Sequence, residues 1–290
     1  MKKFAGNEKR KAGIRGSKGL VGTAINNSLS ADGWEVIDIG RNFSVDDIRG
    51  LDLLINLAGH TINCRWSRNE KSAIRRSRIE TTAKLTEAIK LCGKDAPALF
   101  ISASAVGIYP STKTASPEHA FNELSTERGV GFLSEICKEW ETAAMEASAY
   151  TRVVIARLGV VVSERGGAFP KLSLPFRMGL SVRFAGGKQP LSWISEEDVA
   201  GAVKLIIGDD SISGPVNFVA PQIIDMNGVR STLEKHYKTK IRMVLPSILL
   251  KIAMGGSHLL VTEGQNVKPD VLLSRDFDFR HRTLSDRLST

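Results

Sequence analysis

Gly16-Ser17-Lys18-Gly19-Leu20-Val21-Gly22 sets three glycines at the spacing G-x-x-G-x-x-G, immediately ahead of a helical pattern over Leu20–Ala31. In a strand-to-helix turn that meets a pyrophosphate, the first glycine takes an unusual backbone angle and the second lets the phosphate approach the backbone. The third lets helix and strand pack closely. The free N–H groups at the start of such a helix then hold the anion. Outward from this loop, β-branched runs alternate with helical patterns. The predicted strands are Trp34–Ile39, Leu53–Leu57, Ala98–Ser102 and Arg152–Leu158; the helices are Leu20–Ala31, Asn69–Leu91 and Gly131–Ala147. That alternation is the signature of βαβ units. It predicts an α/β fold, a Rossmann-type doubly wound parallel sheet with a smaller C-terminal substrate or cap region. The nucleotide-binding domain is expected over 11–162, with 163–290 forming the cap and C-terminal segment, interleaved with it. From 163 onward Gly166-Gly167, Pro170, Pro175, Gly179, Gly186-Gly187 and Pro190 punctuate short, substrate-facing segments. A helix at Glu196–Ile207, a strand at Val216–Val219 and helices at Met226–Tyr237 and Pro246–Met254 complete the prediction.

The end of the second predicted strand reads Ile39-Gly40-Arg41. An acidic residue there favours the ribose 2′-hydroxyl of NAD, whereas arginine accommodates the 2′-phosphate of NADP. Gly40 and Arg41 therefore point to NADP, with NAD less favoured; Asp38 competes but falls inside the strand pattern. Asn56-Leu57-Ala58-Gly59 ends the next strand with small residues suited to a second close approach by a cofactor.

The 290 residues are 42% hydrophobic and 24% charged, a soluble globular composition. The apolar run Val153–Val162 is broken by Arg157, so no membrane span is expected, and the N-terminus has no apolar h-region. A cytoplasmic location follows as the default. Three cysteines, Cys64, Cys92 and Cys137, lack metal-ligand spacing and predict neither disulfides nor a metal site. The net charge of +9 concentrates in residues 1–18, with seven bases and one acid, and in 65–84, with seven bases and two acids. Without a nucleic-acid motif or interleaved aromatics, these clusters read as solvated faces or as partners for a phosphorylated small molecule. No nucleic-acid or membrane partner is expected; an unidentified small-molecule substrate is, and a homodimer stays open.

With these motifs in order, the chain resembles the extended short-chain dehydrogenase/reductases, and more narrowly the atypical NADP-binding "epimerase family" of NAD-dependent epimerase/dehydratase proteins. The resemblance rests on the glycine loop, Asn56–Gly59, Arg65-Trp66, Ser77-Arg78, Thr82, the run Ile101–Tyr109, Trp140-Glu141, and Arg157 with Gly159-Val160-Val161. It extends through Leu174–Leu180, Trp193-Ile194 before Asp198, and a tail marked by Pro246, Gly264-Gln265, Val267, Pro269, Leu272 and Phe277–Phe279. It implies that Gly16, Gly19, Leu20, Val21 and Gly22 form the diphosphate loop and that Gly40 and Arg41 face the adenosine phosphate. Leu57, Ala58 and Gly59 would run along the cofactor, Arg78 would reach it from the long helix, and Val161 would lie near the nicotinamide. Two departures are visible. Arg15 stands where a small polar residue is usual, a change expected to weaken the cofactor bed. The stretch 42–52 leaves little room for a helix and a third strand.

Relatives that transfer hydride use a Tyr-x-x-x-Lys pair, the lysine lowering the tyrosine pKa for proton transfer. Here those positions fall on Leu133 and Cys137, and Lys138 projects about 100° away around a helix. Ser104 and Tyr109 remain as candidate catalytic residues, with packing the competing role for Tyr109. Cys137 reads as a buried helix residue, Asp198 as a brace for the following helix, and His60 as the one histidine suited to proton transfer. The resulting expectation is an NADP(H)-binding epimerase- or oxidoreductase-like protein acting on a small, nucleotide-sugar-like molecule. The alternative is a non-catalytic NADP-binding regulator, as in relatives linked to cell division.

Overall fold

Side chains alternate between the two faces of each central strand, and because these strands are buried on both faces this period of two sorts the core into two layers. In the computed structural model, which describes residues 9–290, the elements run in the following order. The first half comprises β1 (Lys11–Arg15), α1 (Leu20–Ala31), β2 (Glu35–Asp38), β3 (Leu53–Asn56), α2 (Arg68–Cys92), β4 (Leu99–Ala105), α3 (Phe132–Met145) and β5 (Arg152–Leu158). Then follow β6 (Val160–Val162), α4 (Phe169–Arg177), β7 (Leu180–Phe184), β8 (Trp193–Ser195), α5 (Glu196–Gly208) and β9 (Gly214–Phe218). The chain closes with α6 (Met226–Tyr237), β10 (Ile241–Leu245), α7 (Ser247–Met254) and three short helices, α8 (Leu259–Thr262), α9 (Asp270–Leu273) and α10 (Leu284–Leu288). Residues 1–8, part of the N-terminal basic cluster, lie outside the described residues.

A six-stranded sheet in the order β2-β1-β3-β4-β5-β9 forms the centre, every pairing parallel. Ala12, Ile14, Ile55, Ile101, Val154 and Phe218 face one layer, where Ile25 and Leu29 of α1 and Val203 and Ile206 of α5 cover them. Leu54, Phe100, Val153 and Ile155 face the other, against Leu85 and Ile89 of α2 and Ala144 of α3. This is the doubly wound fold. β1 pairs on both sides despite its short apolar run, so Arg15 does not disrupt the strand. As the short 42–52 segment anticipates, that stretch adds neither a strand nor an α-helix, and β2 is the sheet edge. Its Ile48 and Leu51 instead plug the second layer over Gly13, where a Cβ would meet the Leu51 side chain at 2.5 Å.

The chain leaves β1 toward β2 and then returns to the opposite side of β1 as β3. The crevice beyond the carboxyl ends of β1 and β3 is thus the topological switch point, the usual ligand position in open α/β sheets.

Two small parallel pairs, β7 with β10 and β6 with β8, build the remainder around Phe169, Phe176, Trp193 and Leu233. Within 163–192, expected as short substrate-facing segments, α4 occupies 169–177. Pro170 sits in its first turn, where no N–H is required, and Pro175 lies inside the helix near its end. Because β9 comes from 214–218, the central sheet draws on both sides of residue 162. Asp198 pins the tail: its carboxylate accepts from Ser195 Oγ at 2.7 Å and from the backbone N–H groups of Arg280 at 2.7 Å and His281 at 3.1 Å. Among the described residues no helix is long and apolar enough to cross a membrane.

Candidate functional site

A cleft of about 1010 Å³ opens at the switch point, within the range of cofactor sites. Leu20, Val21, Leu57, Ala58, Gly59, Arg78, Val161, Ser104 and Tyr109, all singled out from the sequence, line it together. Gly16, Gly19 and Gly22 form the turn behind Leu20 and Val21. Gly40 and Arg41 follow β2 at the exposed sheet edge, outside the cleft lining.

At the phosphate end the glycines are sterically required. Gly16 has φ +93°, and a Cβ on Gly22 would lie 2.2 Å from the Gly16 carbonyl oxygen. The N-cap of α1 is Gly19, which offers no side-chain acceptor, and the first turn has no acid. The helices α2, α5 and α6 are capped by Ser67, Ser195 and Asp225, whereas α3 and α4, like α1, have no side-chain cap. The opening N–H groups of α1 are therefore left for a ligand. Asp38 is taken up within the protein: Ser17 Oγ donates to it at 2.6 Å and Lys18 pairs with it at 3.5 Å. The Ser17 hydrogen bond, more than Lys18, holds the Asp38 carboxyl below its usual range. Arg15 reaches the Ile39 carbonyl through Nη1 at 3.4 Å, and its buried Nε has no hydrogen-bond partner. Partial burial and then Arg41 hold the Arg15 guanidinium below its usual value, with Asp38 offsetting them in part. Two arginines thus share one edge with Asp38, a carboxylate already engaged by Ser17 and Lys18.

The middle of the cleft is set by a buried network. Asn56, at the end of β3, donates from Nδ2 to Thr82 Oγ1 at 2.7 Å and accepts the Ala58 N–H at 3.2 Å. Trp140 Nε1 donates to the same Thr82 oxygen at 2.9 Å. This fixes the turn that carries Leu57 and Ala58 past the cleft. Arg78 lies between Gly59 and the Trp140 ring, 5.3 Å from its centroid, and donates to the His60 carbonyl at 3.0 Å. A Cβ on Gly59 would sit 3.0 Å from the Arg78 guanidinium. Among the described residues Arg78 has no carboxylate partner, and burial lowers its pKa. A desolvated guanidinium in a cleft wall calls for an anionic ligand.

The other end differs. Ser104, 2% exposed, donates to Glu141 at 2.7 Å. Arg157 grips the same carboxylate with Nε at 2.9 Å and Nη2 at 2.8 Å. Its Nη1 donates to Tyr109 Oη at 2.7 Å, and the Asn122 carbonyl and Asn217 Oδ1 both lie 2.9 Å from that hydroxyl. Burial opposes the Arg157 charge, yet the Glu141 carboxylate outweighs it and raises the guanidinium above its usual range. Tyr109 is 1% exposed and stacks on Phe121, and burial raises its phenol pKa despite Arg157. Its hydroxyl is bound on three sides by protein groups. Cys137 is buried, and burial first, then Glu141, pushes its thiol up to about 12, so it is no nucleophile near neutral pH. The buried Glu141–Arg157 pair was not assigned a role from the sequence. Its signal was an arginine, Arg157, following the apolar run Val153–Ala156 of β5.

His60 does reach the cleft wall. Its Nε2 lies 2.7 Å from Glu70 Oε2, and Cys64 Sγ is 3.5 Å from the same oxygen, partners that sequence spacing did not bring together.

Residues 13–219 match the NAD dependent epimerase/dehydratase family, and residues 245–290 match a domain of unknown function (DUF1731). An epimerase family protein of Mycobacterium bovis is 33% identical over 296 residues, covering 95% of each chain. One from Staphylococcus aureus is 29% identical over 290 residues, covering 93% of this chain and 95% of the relative. The structure of human epimerase family protein SDR39U1 (isoform 2) with NADPH superposes with TM-score 0.87 at 29% identity, covering 96% of this chain and 97% of that one. A nucleoside-diphosphate sugar epimerase from Corynebacterium glutamicum gives TM-score 0.78 at 30% identity, covering 97% of this chain and 58% of the other. The match over 13–219, continuous from the glycine loop through β9, establishes that the chain belongs to the NAD dependent epimerase/dehydratase family.

Proposed function

We propose that the protein binds NADP(H) in the switch-point cleft and acts as an epimerase- or oxidoreductase-type protein on a small, nucleotide-sugar-like molecule. The observation that carries this reading is the unpaired positive charge at the phosphate end. Arg15 stands between Arg41 and an Asp38 already held by Ser17 and Lys18, a setting for a 2′-phosphate rather than a free 2′-hydroxyl. Gly16, Gly19 and Gly22 with the α1 N–H groups would hold the diphosphate, and Arg78 would supply a further positive charge from the cleft wall. Leu57, Ala58 and Val161 would give the apolar bed. The bound cofactor supplies hydride transfer. The human relative structurally characterised with NADPH and the relative named a nucleoside-diphosphate sugar epimerase support the cofactor and the substrate class.

Calorimetric titration with NADPH and NADH tests the reading. NADPH is expected to bind in the micromolar range and more tightly than NADH, and Arg41→Ala should remove that preference. Loss of a hydrogen bond to a charged group corresponds to about 1.5–3 kcal/mol, roughly 10–150-fold in affinity. Equal binding of the two nucleotides by the unaltered protein would overturn the NADP assignment.

A second reading, a non-catalytic NADP-binding regulator, draws on the reaction end. Leu133 and Cys137 occupy the Tyr-x-x-x-Lys positions, and the Ser104 and Tyr109 hydroxyls are both engaged by protein groups. Tight NADPH binding without turnover across carbonyl and nucleotide-sugar panels would favour it.

A further inference from the structure

We propose that His60, Cys64 and Glu70 form a transition-metal site of the zinc type at the rim of the cleft. Their ligating atoms, His60 imidazole nitrogen, Cys64 Sγ and a Glu70 carboxylate oxygen, all lie within 4.8 Å of one another. This is a mixed nitrogen, sulfur and oxygen set, which suits a borderline ion such as Zn²⁺ and not Mg²⁺ or Ca²⁺. Around a tetrahedral zinc ion with bonds of about 2.0–2.3 Å, neighbouring ligand atoms stand roughly 3.3–3.6 Å apart. Cys64 Sγ and Glu70 Oε2 are 3.5 Å apart already. His60 Nε2 and Glu70 Oε2, at 2.7 Å, form a hydrogen bond that need open by only about half an ångström when the bridging proton gives way to a metal ion.

The three residues come from a segment held at both ends. The His60 N–H donates to Ser77 Oγ at 2.8 Å, and its carbonyl accepts from Arg78. Trp66 Nε1 donates to the Ile62 carbonyl at 3.0 Å, and its ring packs on Phe132. Ser67 caps α2 through the Glu70 N–H, which fixes the first helical turn beneath the carboxylate. Two of the flanking positive charges are turned elsewhere. Lys71 Nζ sits over the Phe132 ring at 5.0 Å, and Arg65 packs against Gly255. With three protein ligands, one coordination position stays exchangeable, as in catalytic zinc sites. His60 itself belongs to the cleft lining, so the ion would stand on the wall of the proposed cofactor and substrate cleft.

On binding, the Cys64 thiol gives up its proton to solvent as the metal–sulfur bond forms, with no change of oxidation state. Titrating the full-length reduced protein with Co²⁺ is expected to reach one equivalent and to give a thiolate-to-cobalt charge-transfer band. In Cys64→Ser that band should vanish, although Cys92 and Cys137 remain. Zn²⁺ calorimetry in two buffers of different ionisation enthalpy should show proton release that Cys64→Ser reduces. His60→Gln and Glu70→Gln should keep the band but weaken binding by at least the roughly 10–100-fold that loss of an outer-shell partner costs. Absence of the band in the unaltered protein, or its persistence in Cys64→Ser, overturns the proposal. So does unchanged affinity in His60→Gln and Glu70→Gln, whose folding is checked by circular dichroism. NADPH titration of the same variants is a separate readout, so failure of the metal site leaves the cofactor reading untouched.

Discussion

The two ends of the cleft treat their polar groups in opposite ways. At the phosphate end, the opening N–H groups of α1 lack a side-chain cap and Arg15 Nε is buried without a partner, and in the adjoining middle of the cleft Arg78 has no carboxylate partner among the described residues. At the reaction end, Ser104, Glu141, Arg157 and Tyr109 satisfy one another in a closed, buried network. Burying a charge without a counter-ion is unfavourable, so a fold that keeps unpaired cations around a crevice is arranged for an anion that arrives from outside. A network closed on itself needs no ligand to be stable. The difference teaches that burial alone does not mark a functional site.

The largest effect should come from opening the closed network. Arg157→Met strands Glu141 in the interior and is expected to lower unfolding stability by about 3–5 kcal/mol, read by urea denaturation. The double variant Arg157→Met/Glu141→Leu should recover much of that loss, because both charges are then gone. A stable Arg157→Met that loses activity instead would make this network catalytic and erase the contrast. Next, Gly22→Ala places a methyl group against the Gly16 carbonyl. Shifting the loop should cost about 1–3 kcal/mol of stability and reduce NADPH affinity at least tenfold by calorimetry.

Smaller again is Ser104→Ala. If the hydroxyl serves the network, stability falls by about 1.5 kcal/mol while NADPH affinity is unchanged; the same two measurements settle it. The smallest effect is the pH response of Cys137. Its folded thiol is raised from 9.0 to about 12, so above pH 9 the unfolded chain loses the proton first and the folded state is progressively disfavoured. Stability should fall by up to about 1.4 kcal/mol per pH unit more in the unaltered protein than in Cys137→Ala, measured by denaturation between pH 9 and 10. Parallel profiles would mean that the thiol is not desolvated as its burial implies.

Much of the sheet was legible because its central strands carry short runs of aliphatic residues. Arg152–Leu158 is observed with its predicted bounds, and Leu53–Leu57 is shortened by one residue. The helices Leu20–Ala31 and Met226–Tyr237 also coincide with their predicted limits. The elements that escaped, β6, β7, β8, β10 and α4, are short, or contain proline, or pair across great distances in sequence. Ile241 of β10, for example, meets Leu180 of β7. No local pattern announces a three-residue strand whose partner lies some thirty residues away, as Val160 does with Trp193. The nucleotide loop was visible for the converse reason: its steric demand is local, three glycines in seven residues.

Sequence alone determined the doubly wound class, the glycine loop, the arginine after the second strand and the presence of Leu133 and Cys137 where hydride-transferring relatives carry tyrosine and lysine, since each depends on residue type at short spacing. Only the tertiary structure decided which polar groups have partners. Asp38 is engaged by Ser17, Tyr109 by Arg157, and Glu70 by both His60 and Cys64. Hydrogen bonds and ion pairs act over a few ångströms in space, and a chain folded through a six-stranded sheet brings together residues that its own order keeps apart.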